Sequence, residues 1–435
     1  MRGLIVSVLA LSAAAAPAAA DTLGEAMVSA QESNPTLAAQ RQRLRATREA
    51  LPQALSAALP QISVSGAATR ANRDSDNPLL DTPSTETWTS SANVSQLLFG
   101  SGRVWAATRA ARAQIAGALA DYELARQTLL LDVTRAYADV RQAQAVVAAR
   151  ETTVSNLTRL LEYAQAQFDA GVVTRTDVAQ AQARQAQART QLVQAQGLMA
   201  ASVQAYLRLV GQPPSGLEEP AHAMGLPADL QGALDTAVEN SPLLISAQAQ
   251  TRLADANVDV AAAQGRANVS LEAGLSNGAD FNDDLSETTT DSVGVRVSIP
   301  LFQGGAIRSR TRAQRALRSA SNLDLAAAQR SVQEAVTNAW TGLASSRAAV
   351  DSARQQVEAA ELAYEGVTLE QETGLRSTVE VLNQEQDLLD ARLALAQSER
   401  DLVVAERQML AATGTLDIPQ TGGGLVEGND QLRGR

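Results

Sequence analysis

The chain has no cysteine, which excludes disulfides as a source of stability and excludes a lipid-accepting thiol as an anchor. It has one histidine, His222, so no imidazole set is available for a metal or a proton relay. His222 stands in a Pro/Gly-rich segment and reads as a surface residue. Aromatic residues make up 3% of the chain while 45% of it is hydrophobic, which excludes a core built around large rings and leaves alanine as the main packing unit. That suits long helices set closely side by side. Basic residues are outnumbered, 36 Lys+Arg against 47 Asp+Glu for a net charge of -11, and this excludes nucleic acid as a natural partner. No cluster of nucleophile, base and orienting group occurs, nor a phosphate-binding glycine loop, nor a metal-ligand spacing. Neither catalysis nor a cofactor nor an internal energy source is expected.

What is present begins with residues 1–20: Arg2, an apolar run from Leu4 to Leu11, and Ala18-Ala19-Ala20 ahead of Asp21. This is the layout of a secretory signal peptide with a small-residue cleavage site, and the run is too short for a spanning helix. The expected mature chain is exported and starts at Asp21.

The chain also contains itself twice. A shift of 203 pairs Leu98-Phe99 with Leu301-Phe302, Val133-Thr134 with Val336-Thr337, Gly171 with Gly374, Asp177-Val178 with Glu380-Val381, and Gly211 with Gly414. Upstream the shift is 207, pairing Pro35 with Pro242 and Leu37 with Leu244. A period of this length is a duplicated half-domain rather than a solenoid repeat. The expected division is a first repeat over 21–210, a linker over 211–229, a second repeat over 230–414, and a disordered Gly-rich tail over 415–435.

Each repeat reads in the same order. A helical stretch, broken at Asn34-Pro35 or Ser241-Pro242, is followed by two strands. The alternation of Ile62 and Val64 with Ser63 and Ser65, and of Val293, Val295, Val297, Ile299 and Leu301 with polar partners, predicts strands over 61–70, 88–99, 268–277 and 292–301. Polar loops join them over 72–86 and 277–291, the second carrying Asp280, Asp283, Asp284, Glu287 and Asp291. Nothing then breaks helical character over 103–169 or 306–372, runs that would each reach roughly 100 Å. Each rod turns at its glycine, Gly171 or Gly374, and a second helix returns.

Strands that are apolar on one face and polar on the other, in an exported chain, are those of an outer-membrane barrel. Four strands cannot close one, and lipid does not tolerate an open edge. Three chains supply twelve strands and twelve helix tracks, so the expected fold class is mainly α with a membrane β-barrel: a homotrimeric 12-stranded barrel continuous with a 12-helix α-barrel.

Asn34-Pro35-x-Leu37, Leu59-Pro60-Gln61, Leu98-Phe99-Gly-x-Gly102 and Gly374-x-Arg376-x-x-x-Glu380-Val381-Leu382, in this order and spacing within a duplicated chain, resemble the TolC family of outer-membrane channel proteins across residues 22–415. The resemblance implies a passive exit duct for type I protein secretion or drug efflux. It would sit in the outer-membrane lipid of a Gram-negative cell and extend into the periplasm. Its partners would be a periplasmic adaptor and an inner-membrane ABC or proton-driven transporter. The competing reading is a structural or adhesive outer-membrane protein whose acidic loops bind a surface partner or calcium, although their acids do not follow the EF-hand spacing.

The turns at Gly171 and Gly374 should form the far periplasmic tip. Thr174-x-x-Asp177 and Ser377-x-x-Glu380 fit the capping-box pattern, so the two acids either cap their helices or, under threefold symmetry, form charged rings. In the family the second turn lines a constriction, which would make Glu380 the acidic ring, Arg376 the tie to the first turn, and Asp177 its partner. Asn383 stands where a second acid is common and Gln371 where a tyrosine is common.

Overall fold

The computed structural model describes residues 22–72, 85–281 and 283–419. The expected leader, most of the first polar loop and residues 420–435 lie outside the described residues. In chain order the elements are α1 (Leu23–Ser33), α2 (Pro35–Arg48), α3 (Ala50–Ser56), β1 (Gln61–Ala71), β2 (Thr85–Phe99), α4 (Arg103–Asp169), α5 (Arg175–Val210), α6 (Leu230–Asn240), α7 (Pro242–Ala263), β3 (Asn268–Asp280), β4 (Asp283–Ser298), α8 (Ala306–Glu372) and α9 (Thr378–Thr413). The two rods are 67 residues each, with the bounds that the unbroken helical runs predict. No helix among the described residues is apolar enough to cross a membrane.

Two compact units result, and each repeat contributes to both. One unit holds residues 39–124 and 242–332, which include the sheet. Its strands run β1-β2-β3-β4, all antiparallel. Register places Ile62, Val94, Ala273 and Val293 in one cross-strand row and Ser63, Asn93, Gly274 and Ser292 in the next. The sheet therefore has an apolar face and a polar face. The apolar face is bare, with Val293 80% exposed. On the polar face Ser65 and Ser91 hydroxyls meet at 2.8 Å and Arg296 Nε donates to Glu272 Oε1 at 2.6 Å. Beneath the sheet the helices pack on alanine: Ala106, Ala111, Ala249, Ala256 and Ala261 are all buried.

The strand ends differ from the alternation-based bounds. β4 stops at Ser298 rather than 301, because Pro300 has no N–H to continue a ladder. It begins at Asp283 rather than 292, so the acidic stretch expected as a loop over 277–291 is mostly hairpin, with Leu275 opposite Asp291 and Ser276 opposite Thr290. Polar residues lengthen these strands, and a hydrophobic period cannot show them.

The other unit holds the described residues up to 38, then 125–241 and 333–419. Tyr137 and Tyr206 are fully buried with ring centroids 6.4 Å apart, and the Tyr137 hydroxyl donates to the Glu218 carbonyl at 2.7 Å. Helix α1 is fastened to the end of α5 by Ser29 and Ser33, both donating to the Val210 carbonyl at 3.1 Å. Both returning helices end on a left-handed glycine, Gly211 (φ 88°) and Gly414 (φ 77°). A side chain at Gly211 would meet the Ser33 hydroxyl at 3.1 Å, and one at Gly414 would overlap the Asn240 backbone. The first residues beyond α9 are packed, contrary to a disordered tail starting at 415. Leu416 is buried and Asp417 pairs with Arg126 at 2.9 Å.

Candidate functional site at the two helix turns

Both rods end in the same hydrogen-bonded turn. Gly171 N–H donates to Phe168 and Val172 N–H to Gln167, while Gly374 N–H donates to Gln371 and Leu375 N–H to Glu370, all at 2.8–2.9 Å. These are the paired bonds of a Schellman ending, which needs a left-handed residue, and the glycines supply it with φ of 75° and 77°. Thr174 and Ser377 then cap the next helix, each accepting from the N–H of the acid three residues on, with that acid reaching back to the cap N–H. Asp177 Oδ2 accepts from Thr174 N–H at 2.9 Å and its hydroxyl at 2.8 Å. Glu380 Oε2 does the same with Ser377 at 2.9 and 3.2 Å. Both carboxyls are held below their ordinary range, chiefly by these backbone N–H donors.

The side chains make the turns unequal. Where the second turn has Glu370 and Arg376, the first has Gln167 and Val173. Arg376 Nε donates to Glu370 at 2.7 Å and its Nη1 to Glu380 at 3.1 Å, which raises its pKa further. The expected tie from Arg376 to Asp177 is not made among the described residues, where Arg376 pairs with Glu370 and Glu380. Arg376 has two carboxylates on its own turn, within six residues, and reaching them orders far less chain than a link to the other hairpin; Asp177 is already engaged by its cap. Gln371 is buried and turns inward, donating to Thr378 Oγ1 at 3.3 Å. Asn383 is exposed, one turn from Glu380, and Asp387 and Asp390 continue that exposed face.

Behind the turns Leu157, Leu160, Ala188, Val381 and Leu382 form a buried cluster against Tyr364 and Val367. Glu385 lies against it, 3% exposed, with Asn156 Nδ2 donating to its two oxygens at 3.0 and 3.2 Å. Burial pushes its pKa up against the donors Thr153, Asn156 and Tyr364, and burial followed by the Glu385 charge pushes Tyr364 up to about 12. Glu385 has no ion pair among the described residues, since nearby Arg392 pairs with Glu361 at 2.8 Å. The signal in the sequence was a charge on an apolar stripe, Val381-Leu382-Glu385-Leu388-Leu389. His222, expected as a plain surface residue, keeps its ring exposed, but its Nδ1 is 2.9 Å from Glu406 Oε1. Glu406 is itself buried, accepting from Ala223 N–H at 2.9 Å and Arg407 at 2.8 Å. Arg407 also donates to the Ala221 carbonyl, so the linker is clamped onto α9 through a buried ion pair.

The turns punctuate a duplicated chain, and the profile of the outer membrane efflux protein family matches both copies, over residues 26–212 and 233–415. The chain belongs to the outer membrane efflux protein family. It is 30% identical over 409 residues to the outer membrane efflux protein BepC of Brucella suis, covering 93% of this chain and 88% of that protein. It is 27% identical over 418 residues to the outer membrane protein TolC of Vibrio cholerae, covering 93% and 94%. Among solved structures the outer-membrane channel OprN shares the fold, with a TM-score of 0.78 over 90% of each chain at 23% identity. As a member of this efflux family the chain is an outer-membrane channel protein, and its two-faced sheet is a segment of membrane barrel.

Proposed function

We propose that three copies of this efflux-family chain assemble into one passive exit duct, powered by an inner-membrane transporter that reaches it through a periplasmic adaptor. The observation that carries this is the four-stranded sheet, bare and apolar on one face, polar on the other, and ending in β1 and β4 as unpaired edges. An edge strand cannot stay unpaired in lipid, where each orphan backbone group costs several kcal/mol. Pairing β4 of one copy with β1 of the next closes a twelve-stranded barrel that lipid surrounds and water fills. In this reading the turns at Gly171 and Gly374 are the periplasmic tip that meets the adaptor. Arg376, Glu380 and Asn383 line the narrow end, with Asp177 on the neighbouring turn. Three copies of the Glu370–Arg376–Glu380 group carry one net negative charge each, and such a ring attracts cations.

Sedimentation of the purified protein in detergent together with conductance in a planar bilayer tests the proposal. A trimer that conducts is the expected result. A monomer, or a trimer that never conducts, would sink the duct and favour the adhesive alternative.

A further inference from the structure

The long helices open in a way their own electrostatics disfavour. Residues 103–120 contain Arg103, Arg109 and Arg112 and no acid; residues 306–323 contain Arg308, Arg310, Arg312, Arg315 and Arg318 and no acid. The first acids, Asp121 and Asp324, stand at equivalent positions of the two copies. The chain as a whole is acidic, and a helix start favours Asp or Glu over Arg, so neither average composition nor helix preference accounts for these two basic stretches.

The repeat shift also sets Trp105, Arg109 and Arg112 against Arg308, Arg312 and Arg315. Spacings of four and three place each triplet on one helix face. Trp105 is 62% exposed, with the Arg109 guanidinium 4.6 Å over its ring. Arg112, Arg308, Arg312 and Arg315 are exposed and make no ion pair among the described residues, whereas Arg109 also reaches Asp259 at 2.9 Å.

These faces begin where the apolar side of the sheet ends. Phe99, Leu301 and Phe302 at the strand ends are exposed, and Trp88 lies on the same face of β2 as Phe99. The steps between Trp88 and Phe99, at about 3.3 Å each and about 40° of tilt, span roughly 27 Å of depth, close to the apolar band of a membrane barrel. Trp105 is the third residue of α4 and follows Phe99 by six residues, which sets it at interface level, and Arg112 lies about 10 Å further along the helix, on the scale of a headgroup layer.

We propose that these two faces form a collar that holds anionic phospholipid headgroups of the leaflet at the strand–helix junction. The inference rests on the strands crossing the outer membrane and is independent of the gate. The guanidinium groups match a phosphodiester in charge and in paired donors, and they follow in the chain directly after the strand ends, where Phe99, Leu301 and Phe302 are exposed. Each arginine held near an anionic surface contributes about fivefold to attraction.

Trp105 reports on its own surroundings once Trp88→Phe and Trp340→Phe remove the other two tryptophans. The protein would be reconstituted in phosphatidylcholine vesicles containing the same mole fraction of brominated phosphatidylglycerol or brominated phosphatidylcholine. Expected is quenching by both lipids, stronger by the anionic one, with the difference lost in Arg109→Gln/Arg112→Gln, which clears the face Trp105 shares, and kept in the control Arg189→Gln/Arg330→Gln. Absence of quenching would place Trp105 in the water-filled interior or against a second copy and overturn the collar. Equal quenching by the two lipids would overturn its preference for anions. Should the Arg109→Gln/Arg112→Gln variant fail to assemble, the comparison of the two lipids on the unaltered collar still decides.

Discussion

The two helix turns share a backbone and differ in charge. Their glycines, Schellman bonds and capping boxes superimpose at a shift of 203, yet only the second carries the Glu370–Arg376–Glu380 group. The same division runs through the molecule. Gly211 and Gly414 end equivalent helices, while Trp105 and Arg308 occupy equivalent positions with different chemistry. A turn needs one backbone conformation, and few residues provide it. An exposed side chain is held by nothing so strict, and duplication frees one copy to take on a task that the other does not perform.

The largest test of the equivalence lies in the strands. Ala92 in the first copy and Val295 in the second fall on the apolar face by register, and Arg296 falls on the polar face. Ala92→Arg and Val295→Arg should each cost about 2–4 kcal/mol near the bilayer midplane and lower the yield of assembled protein in outer-membrane fractions. Arg296→Ser should be tolerated far better. Similar losses at all three would show that the two faces are wrongly assigned.

Next come the helix-ending glycines, where the comparison predicts a difference. Gly211→Ala adds left-handed strain of about 1–2 kcal/mol, and the flexible Ser33 side chain can give way. At Gly414 the neighbour is the Asn240 backbone, which cannot, so Gly414→Ala should cost about 3 kcal/mol or more. Thermal melts of the two variants measure this, and equal midpoints would mean that the α6–α9 junction yields. Gly171→Ala and Gly374→Ala should behave alike, since both glycines are left-handed and no atom lies within 4 Å of either added Cβ.

A finer contrast sets Glu380 against Glu385 on α9. Hydrogen bonds lower Glu380 below its ordinary 4.5, so its stabilisation is present above that value and is lost as pH falls through the depressed one. Burial raises Glu385, so the folded chain holds that proton more tightly than the unfolded chain. Its contribution is complete below 4.5 and is lost as pH rises through the elevated value. Melting midpoints taken upward from pH 4.5 should therefore decline more steeply in the wild type than in Glu385→Gln, which keeps the acceptor for Asn156 and carries no charge. Parallel curves would mean that Glu385 is hydrated in solution.

What could be read before the structure was whatever the backbone dictates. The rods, their glycine turns and the capping boxes are all written in residue types that admit few conformations. The partners of charged side chains were not legible. Arg376 could reach several acids, and spacing alone does not say that Glu370, six residues earlier, is closer than Asp177 on the other hairpin. Glu385 showed as a charge on an apolar stripe, but whether such a charge is buried depends on Asn156, which lies 229 residues away. The Glu406 clamp on the linker was hidden for the same reason.

The smallest structural effect carries the sharpest question about the second turn. Glu380 caps α9 and accepts from Arg376, and Glu380→Gln retains a side chain that serves at that capping position. Little change in melting is expected, because the group is exposed and its ion pair is screened by water. The proposed gate makes a separate prediction. If threefold symmetry gathers Glu380 into one ring, trivalent cations should block single-channel current in the wild type, and the neutral glutamine should weaken that block as much as Glu380→Ala does. Asp177→Asn on the first turn, where the carboxylate is engaged by its own cap, should leave block largely intact. Arg376→Ser, by freeing both of its carboxylates, should strengthen block and raise cation conductance. Block that survives Glu380→Gln unchanged would reduce Glu380 to a cap and return the second turn to equality with the first.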